Sequence, residues 1–329
     1  MAEHHTLICT TANEKKAYSS ELQFPVETEY ARCIADLGRA GLLTPLPESR
    51  RLGVVGVDGN EYPLPTPEQV AVFFAQNREM VSTKFAQGFD RLELVPMAMP
   101  LPALMDRVRA AILQHNTDGT IFRARRFASD APVPVRVHAE KQVWIWETLS
   151  QAIGADMLVY FPEASSGSPR GQTKREVIHN ERLCAVPGWS VGLVETSSFL
   201  PGPGPGAGQT IGGRKQLEIG ASPREYLRTL QTPPYAGETG RTMEEFLTRF
   251  LTQVETADTV SYDVADDNAF WCLGQYLKTS YAELVPTGRW IRDVGRVRLD
   301  MHRTGNKRCT KSWGASSTVR LPRVPHVSR

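Results

Sequence analysis

The sequence contains no run of about 18 apolar residues, so no membrane-crossing helix is expected. Its first residues, MAEHHTLICTTANEKKAYSS, lack a basic stretch leading into an apolar one. A secretory signal is therefore not expected, and the chain reads as cytoplasmic unless it is exported or released by another route. Cysteine is sparse: Cys9, Cys33, Cys184, Cys272 and Cys309, an odd number without CxxC spacing. That excludes a disulfide framework and fits free thiols in a reduced compartment.

Signatures of catalysis are lacking as well. There is no G-x-S-x-G, and the cysteines carry no local nucleophile signature. The glycine-rich GAGQTIGGRKQ (206–216) departs from a phosphate loop, because Arg214, Lys215 and Gln216 follow its last glycine and no Ser or Thr is placed for Mg²⁺. It reads as a structural loop, with a weak anion site at Arg214 and Lys215 as the alternative. Glu176 and His179 have the E-x-x-H spacing of one helix face and Cys184 follows, yet no second pair completes a four-ligand set. We expect no catalytic residue, no metal and no cofactor. Asp263, Asp266 and Asp267 form an acidic loop that would bind Ca²⁺, pair with basic residues or stay solvated. No repeat of 20–50 residues is present.

What is there suffices for a folded protein. The 329 residues fit two domains or one large one, 41% of them are hydrophobic, and the 22% charged fraction is too low for global disorder. The pattern is α+β. EYARCIADLGRAGLL has near-helical apolar spacing, and RLGVVGVDGNEYPL reads as strand, turn and strand. Thr66 caps a helix with Pro67 at its first position, running to about Gln87 and ended by Gly88. LELVPM reads as a buried strand. LPALMDRVRAAILQHN is a helix with Leu101, Leu104, Val108 and Ile112 on one face. Residues 121–200 look β-rich (VPVRVHA, VWIW, MLVYF, WSVGLVE), with Trp144 and Trp146 on one strand face as core residues. PGPGPGAG (201–208) interrupts regular structure. Two helices follow, capped by Ser222 with Glu225 and by Thr242 with Glu245. Short strands then run to the end. The expected division is 1–200, a connector at 201–208, and 209–329.

Charge is unevenly placed. Residues 289–329 hold eleven Lys/Arg against two Asp, leaving 27 basic and 34 acidic residues for the rest of a chain whose net charge is +2. Such a concentration attracts anionic partners. Trp290, Val297, Leu299, Trp313, Val319 and Leu321 are spaced through it like the buried points of a folded segment.

The order FWCLGQYL, then VPTGRWIRDVGRVRLD, a polar loop, then SWGASSTVRLP resembles the C-terminal half of C-type-lectin-like folds of the formylglycine-generating-enzyme type. More narrowly, it resembles the variable proteins of diversity-generating retroelements, over about residues 255–323. The resemblance implies a non-enzymatic ligand-binding domain whose exposed positions are diversified by adenine-directed reverse transcription. It makes Trp290, Gly295, Leu299, Trp313, Gly314, Val319 and Arg320 scaffold. The displayed positions would be Arg289, Ile291, Val294, Arg296, Arg298, Met301, His302, Arg303, Thr304, Asn306, Lys307, Arg308, Thr310 and Lys311. Arg suits carboxylate and phosphate, so the implied partner is a protein or other macromolecule of acidic character. The alternative is a nucleic-acid binder using the same basic segment with Trp290, Trp313 and His302 interleaved.

Overall fold

The computed structural model describes residues 24–117, 123–124, 133–134, 137–162, 171–180, 183–196, 208–257, 269–278, 283–291, 294–304 and 313–322. Residues 201–207, Cys9, Cys309, the acidic loop of Asp263, Asp266 and Asp267, and the candidate positions Asn306, Lys307, Arg308, Thr310 and Lys311 lie outside the described residues.

Helix α1 (Val26–Arg39) buries Cys33 and Leu37. Strands β1 (Thr44–Pro45), β2 (Leu52–Val55) and β3 (Glu61–Pro63) form a small antiparallel sheet. The turn between β2 and β3 needs Gly59 at φ 81°. Helix α2 (Pro67–Gln76) opens with a capping box between Thr66 and Gln69. The single helix expected to Gln87 is instead broken at Asn77. Its side-chain Nδ2 donates to Phe73 O (2.8 Å) and to Pro322 O (2.9 Å), and an amide competing for backbone groups in this way favours interruption. Helix α3 (Arg78–Ala86) then runs to Gly88, which is at φ 93°.

Strand β4 (Arg91–Val95) leads to α4 (Leu101–Thr117), with Leu101, Leu104, Val108 and Ile112 all buried. The stretch expected to be β-rich holds β5 (Arg123–Ala124), β6 (Val133–Pro134), β7 (Val143–Ile145), β8 (Val159–Tyr160) and β9 (Ser190–Val194), and also two short helices, α5 (Glu147–Gly154) and α6 (Lys174–Val177). GAGQTIGGRKQ forms the hairpin β10 (Thr210–Ile211) and β11 (Arg214–Lys215), turning on Gly212 and Gly213, both at positive φ. Helix α7 (Pro223–Leu230) carries the Ser222–Glu225 capping box, and β12 (Glu238–Gly240) precedes α8 (Met243–Ala257). Strands β13 (Ala269–Trp271), β14 (Gln275–Lys278), β15 (Glu283–Ile291), β16 (Arg296–Arg303), β17 (Trp313–Gly314) and β18 (Ser317–Arg320) complete the chain.

Two sheets organise this α+β fold. One is antiparallel, in the order β12-β18-β9-β4. The other is built on the long β15–β16 hairpin, closed by Gly295 at φ 65°. Strand β7 adds in parallel beside β16. The far edge of β15 pairs with β13 and with β14, which carry β17 and β8 outward. Both sheets draw strands from each side of residues 201–208, and the main core cluster does too. The segments expected as separate, 1–200 and 209–329, are therefore built into shared sheets.

Helix α8 packs on one face of the hairpin sheet. Phe250 stacks on Trp290 with centroids 6.0 Å apart, and Phe246 on Phe270 at 5.8 Å. The helix lies so close that a Cβ on Gly288 would fall 2.6 Å from the Phe246 ring tip. A second core lies under α7, where Tyr226, Leu227 and Leu230 meet Trp271, Val285 and Trp313. Among the described residues, no helix is long and apolar enough to cross a membrane.

Candidate functional site

Side chains alternate across a strand, so the register decides which candidates share a surface. In the β15–β16 hairpin, Arg289 faces Arg298, Ile291 faces Arg296, Thr287 faces Asp300 and Val285 faces His302. These eight residues lie on the sheet face opposite to Gly288 and Trp290, and so opposite to α8. The neighbouring strands extend the same row. Trp144 of β7 pairs with Arg298. On the other side Phe270 pairs with Gly288, which sets Ala269 beside Arg289, and Ala269 pairs with Trp313. One transverse line thus crosses five strands: Trp144, Arg298, Arg289, Ala269, Trp313.

The line is held by cation–π contact. Arg298 Cζ stands 4.5 Å from the Trp144 ring centroid, with Arg296 Cζ at 5.9 Å. Arg289 Cζ reaches across the small Ala269 to 5.9 Å from the Trp313 ring. Such contacts fix otherwise mobile arginines at a cost in entropy that the ring quadrupole offsets. Arg298 also donates through Nε and Nη2 to Asp300 Oδ2, at 3.0 and 2.6 Å. Its side chain keeps 32% of its surface open. His302 sits edge-on to Trp313, centroids 4.5 Å apart, with Trp271 behind. Burial pushes the His302 imidazole below its ordinary value; Asp300 opposes this and Arg289 and Arg298 reinforce it. Among the described residues of the hairpin, this face carries Arg289, Arg296 and Arg298 against Asp300 and, at its far end, Glu283.

Of the described candidate positions, Arg289, Ile291, Arg296, Arg298 and His302 come together on this face. Met301 does not: it points to the other side and is buried in the main core. Thr304 is buried at the end of β16, its backbone N–H donating to Glu283 O. Val294 lies in the hairpin turn, and Arg303 is exposed on the opposite side from the row. Trp144 is a correction: it lies beneath arginines, while only Trp146 of the pair packs against the main core. Trp144, Asp300 and Trp271 were not singled out as site residues, and Trp313 was expected only as scaffold or as an interleaved aromatic of a nucleic-acid binder. The alternation R-x-R-x-D-x-H at 296–302 marks Asp300 in the sequence, but nothing local marks Trp144, which reaches the site through a parallel pairing about 150 residues away.

The other sequence candidates have structural partners. Arg214 is fully buried and donates through Nε and Nη2 to Glu238, at 2.7 and 2.8 Å, and through Nη1 to Glu195 at 3.0 Å, so it has no charge to spare for an anion. Glu176 accepts from the Thr173 backbone at the start of α6. His179 lies 3.3 Å from Asp58, and burial pushes the Cys184 thiol up to about 12. No cluster of three metal-ligating side chains occurs among the described residues. Comparison of the chain with family models, with characterised proteins and with solved structures finds no match.

Proposed function

We propose that this protein is a non-enzymatic ligand-binding protein that presents the Trp144–Arg298–Arg289–Trp313 face to an acidic macromolecular partner, as a C-type-lectin-like variable protein of a diversity-generating retroelement would. The observation that carries the reading is the register. Five side chains chosen for display fall on one side of a rigid sheet, while the intervening Trp290, Val297 and Leu299 are buried on the other. A sheet of this kind lets surface residues change while the core stays fixed. A guanidinium is planar and suits two-point contact with a carboxylate, so a face carrying several of them favours an acidic partner. A cytoplasmic location belongs to the same proposal.

A nucleic-acid partner is the weaker reading. Trp313 is only 6% exposed and both row tryptophans are already covered by guanidinium groups, so neither offers a free ring to a base. The direct test of diversification is the DNA flanking the coding region. A near-copy of the codons for 289–314, differing mainly at adenines and lying beside a reverse-transcriptase frame, supports the proposal; its absence overturns the retroelement part. A salt titration of oligonucleotide binding separates the partners. A steep loss of affinity with salt that Arg289→Gln and Arg298→Gln abolish would favour nucleic acid.

A further inference from the structure

On the side of α8 away from the hairpin sheet lies a cavity of about 310 Å³, walled by α1, β4, the end of β9 and α8. Thr248 and Thr252, on its wall, each stand two residues, about 200°, from Phe246 and Phe250. The face of α8 that lines the cavity is thus opposite to the aromatic one. The volume suits a small molecule.

The wall carries as many cations as anions. Arg32, Arg91 and Arg249 stand against Asp36, Glu93 and Glu195. Each of the six has a partner. Arg32 bridges Glu29 and Asp36, at 2.9 and 2.7 Å. Arg91 pairs with Glu29 at 2.8 Å, and Arg249 donates through Nη2 to Glu195 O at 3.4 Å. Arg39 also holds Asp36, Arg241 holds Glu93, and Arg214 holds Glu195. An ionic group entering the cavity would give up its water and meet both signs. Among the described residues it would find no unmatched counter-charge to offset that loss. The lining therefore selects against a net charge on the ligand.

What the wall offers is hydrogen-bonding capacity. Thr248 and Gln253 both line the cavity. Thr248 is 1% exposed, and its Oγ1 has no hydrogen-bond partner among the described residues; nor has the buried Oε1 of Gln253. Buried polar atoms normally have partners, and two orphans in one cavity wall call for a ligand that supplies them. Glu195 takes both Arg214 and Gln216 on Oε1, so Oε2 can accept. Arg91 gives Nη1 to Glu29 Oε1 and its side chain is 42% exposed, so its other N–H groups can donate. Leu37, Leu94 and Val194 add apolar surface to the same wall. Hydroxyl groups fit such a lining, because each donates and accepts without carrying charge, and the carbon chain that bears them can lie on the apolar part.

We infer that this cavity is a second binding site, independent of the arginine–tryptophan face, for a small uncharged polyol whose hydroxyls donate to Thr248, Gln253 and Glu195 and accept from Arg91. The test is calorimetric titration of the intact protein at constant ionic strength. The probes are D-sorbitol and myo-inositol, which distinguish an open-chain from a cyclic ligand. The controls are D-gluconate and D-glucamine. Each keeps the six-carbon hydroxylated chain of sorbitol and places a charge at one end, negative or positive. The expected result is saturable binding of at least one probe, with both controls weaker by about tenfold or more. Arg91→Gln and Thr248→Val should each weaken that binding by about threefold to tenfold, the worth of one hydrogen bond, while Arg298→Gln leaves it unchanged. Thr248→Val removes an unpaired hydroxyl at constant shape, so its melting temperature should hold or rise; if that variant fails to fold, Arg91→Gln decides alone. Absence of saturable binding of both probes overturns the site. So does binding of gluconate or glucamine as tight as that of the better probe, which means that the balanced charges do not select, or binding that Arg91→Gln leaves intact, which places the probe elsewhere.

Discussion

Arg320 shows at the scale of one residue how charge is used inside this molecule. Its guanidinium is buried, 2.8 Å from Glu245, and it donates to Ser190 Oγ at 2.7 Å while lying 4.1 Å over the Phe161 ring. Removing one member of a buried pair leaves the other uncompensated, so Arg320→Met should cost about 3–5 kcal/mol in chemical denaturation. Burial alone would push the Glu245 carboxyl up, but Arg320 and Arg241 outweigh it and hold it below its ordinary 4.5. A depressed carboxylate contributes stability that is present above pH about 4.5 and lost as pH falls through the lower folded value. In Arg320→Met the acid loss should begin at higher pH, as read by the pH dependence of the melting temperature. His302 works in the same direction at milder pH. Its folded value is held below 6.5, so its neutral form contributes stability that is complete above that pH and lost as protonation is forced below it. His302→Phe should flatten the stability profile just below pH 6.5; an unchanged slope there would refute the assignment.

Elements with local chemistry were readable from the sequence. The start of α7 follows from Ser222, Pro223 and Glu225, because a cap oxygen, a fixed φ and a returning carboxylate satisfy the orphan N–H groups of the first turn. Ser222→Ala should therefore cost about 1 kcal/mol in a urea midpoint at unchanged m-value. The buried face of α4 was legible for the same reason, its period being local, whereas the stretch read as a short strand, RWIRDVGRVRLD, holds the turn of the β15–β16 hairpin. The break at Asn77 was not, because its side chain is held partly by Pro322 O, a partner 245 residues away. Nor was Trp144, whose role depends on strand β7 joining β16 in parallel. Within the candidate site, the resemblance treated the whole stretch as displayed; strand alternation in the structure puts Arg296, Arg298 and His302 on one side and Met301 in the core.

For the whole molecule, the decisive feature is how the halves interlock. Strand β18, near the end of the described residues, lies between β12 and β9, and β9 passes the sheet on to β4. The β15–β16 hairpin is flanked by β7, and β14 at its other edge pairs with β8. Composition suggested a boundary at the Pro/Gly stretch because such residues stop regular structure, but they say nothing about where the next strand returns. A fragment of residues 209–329 would lose β4, β7, β8 and β9 and leave unpaired edges on β14, β16 and β18, together with the apolar surface that Leu92, Leu94, Val191 and Leu193 cover. Expressed alone, it should show no cooperative thermal transition by circular dichroism and no dispersed amide spectrum, whereas co-expression with residues 1–200 should restore both. A fragment that folds by itself would mean that the arginine–tryptophan face rests on an autonomous domain, and that the N-terminal strands decorate a scaffold which the interlocked sheets instead make them part of.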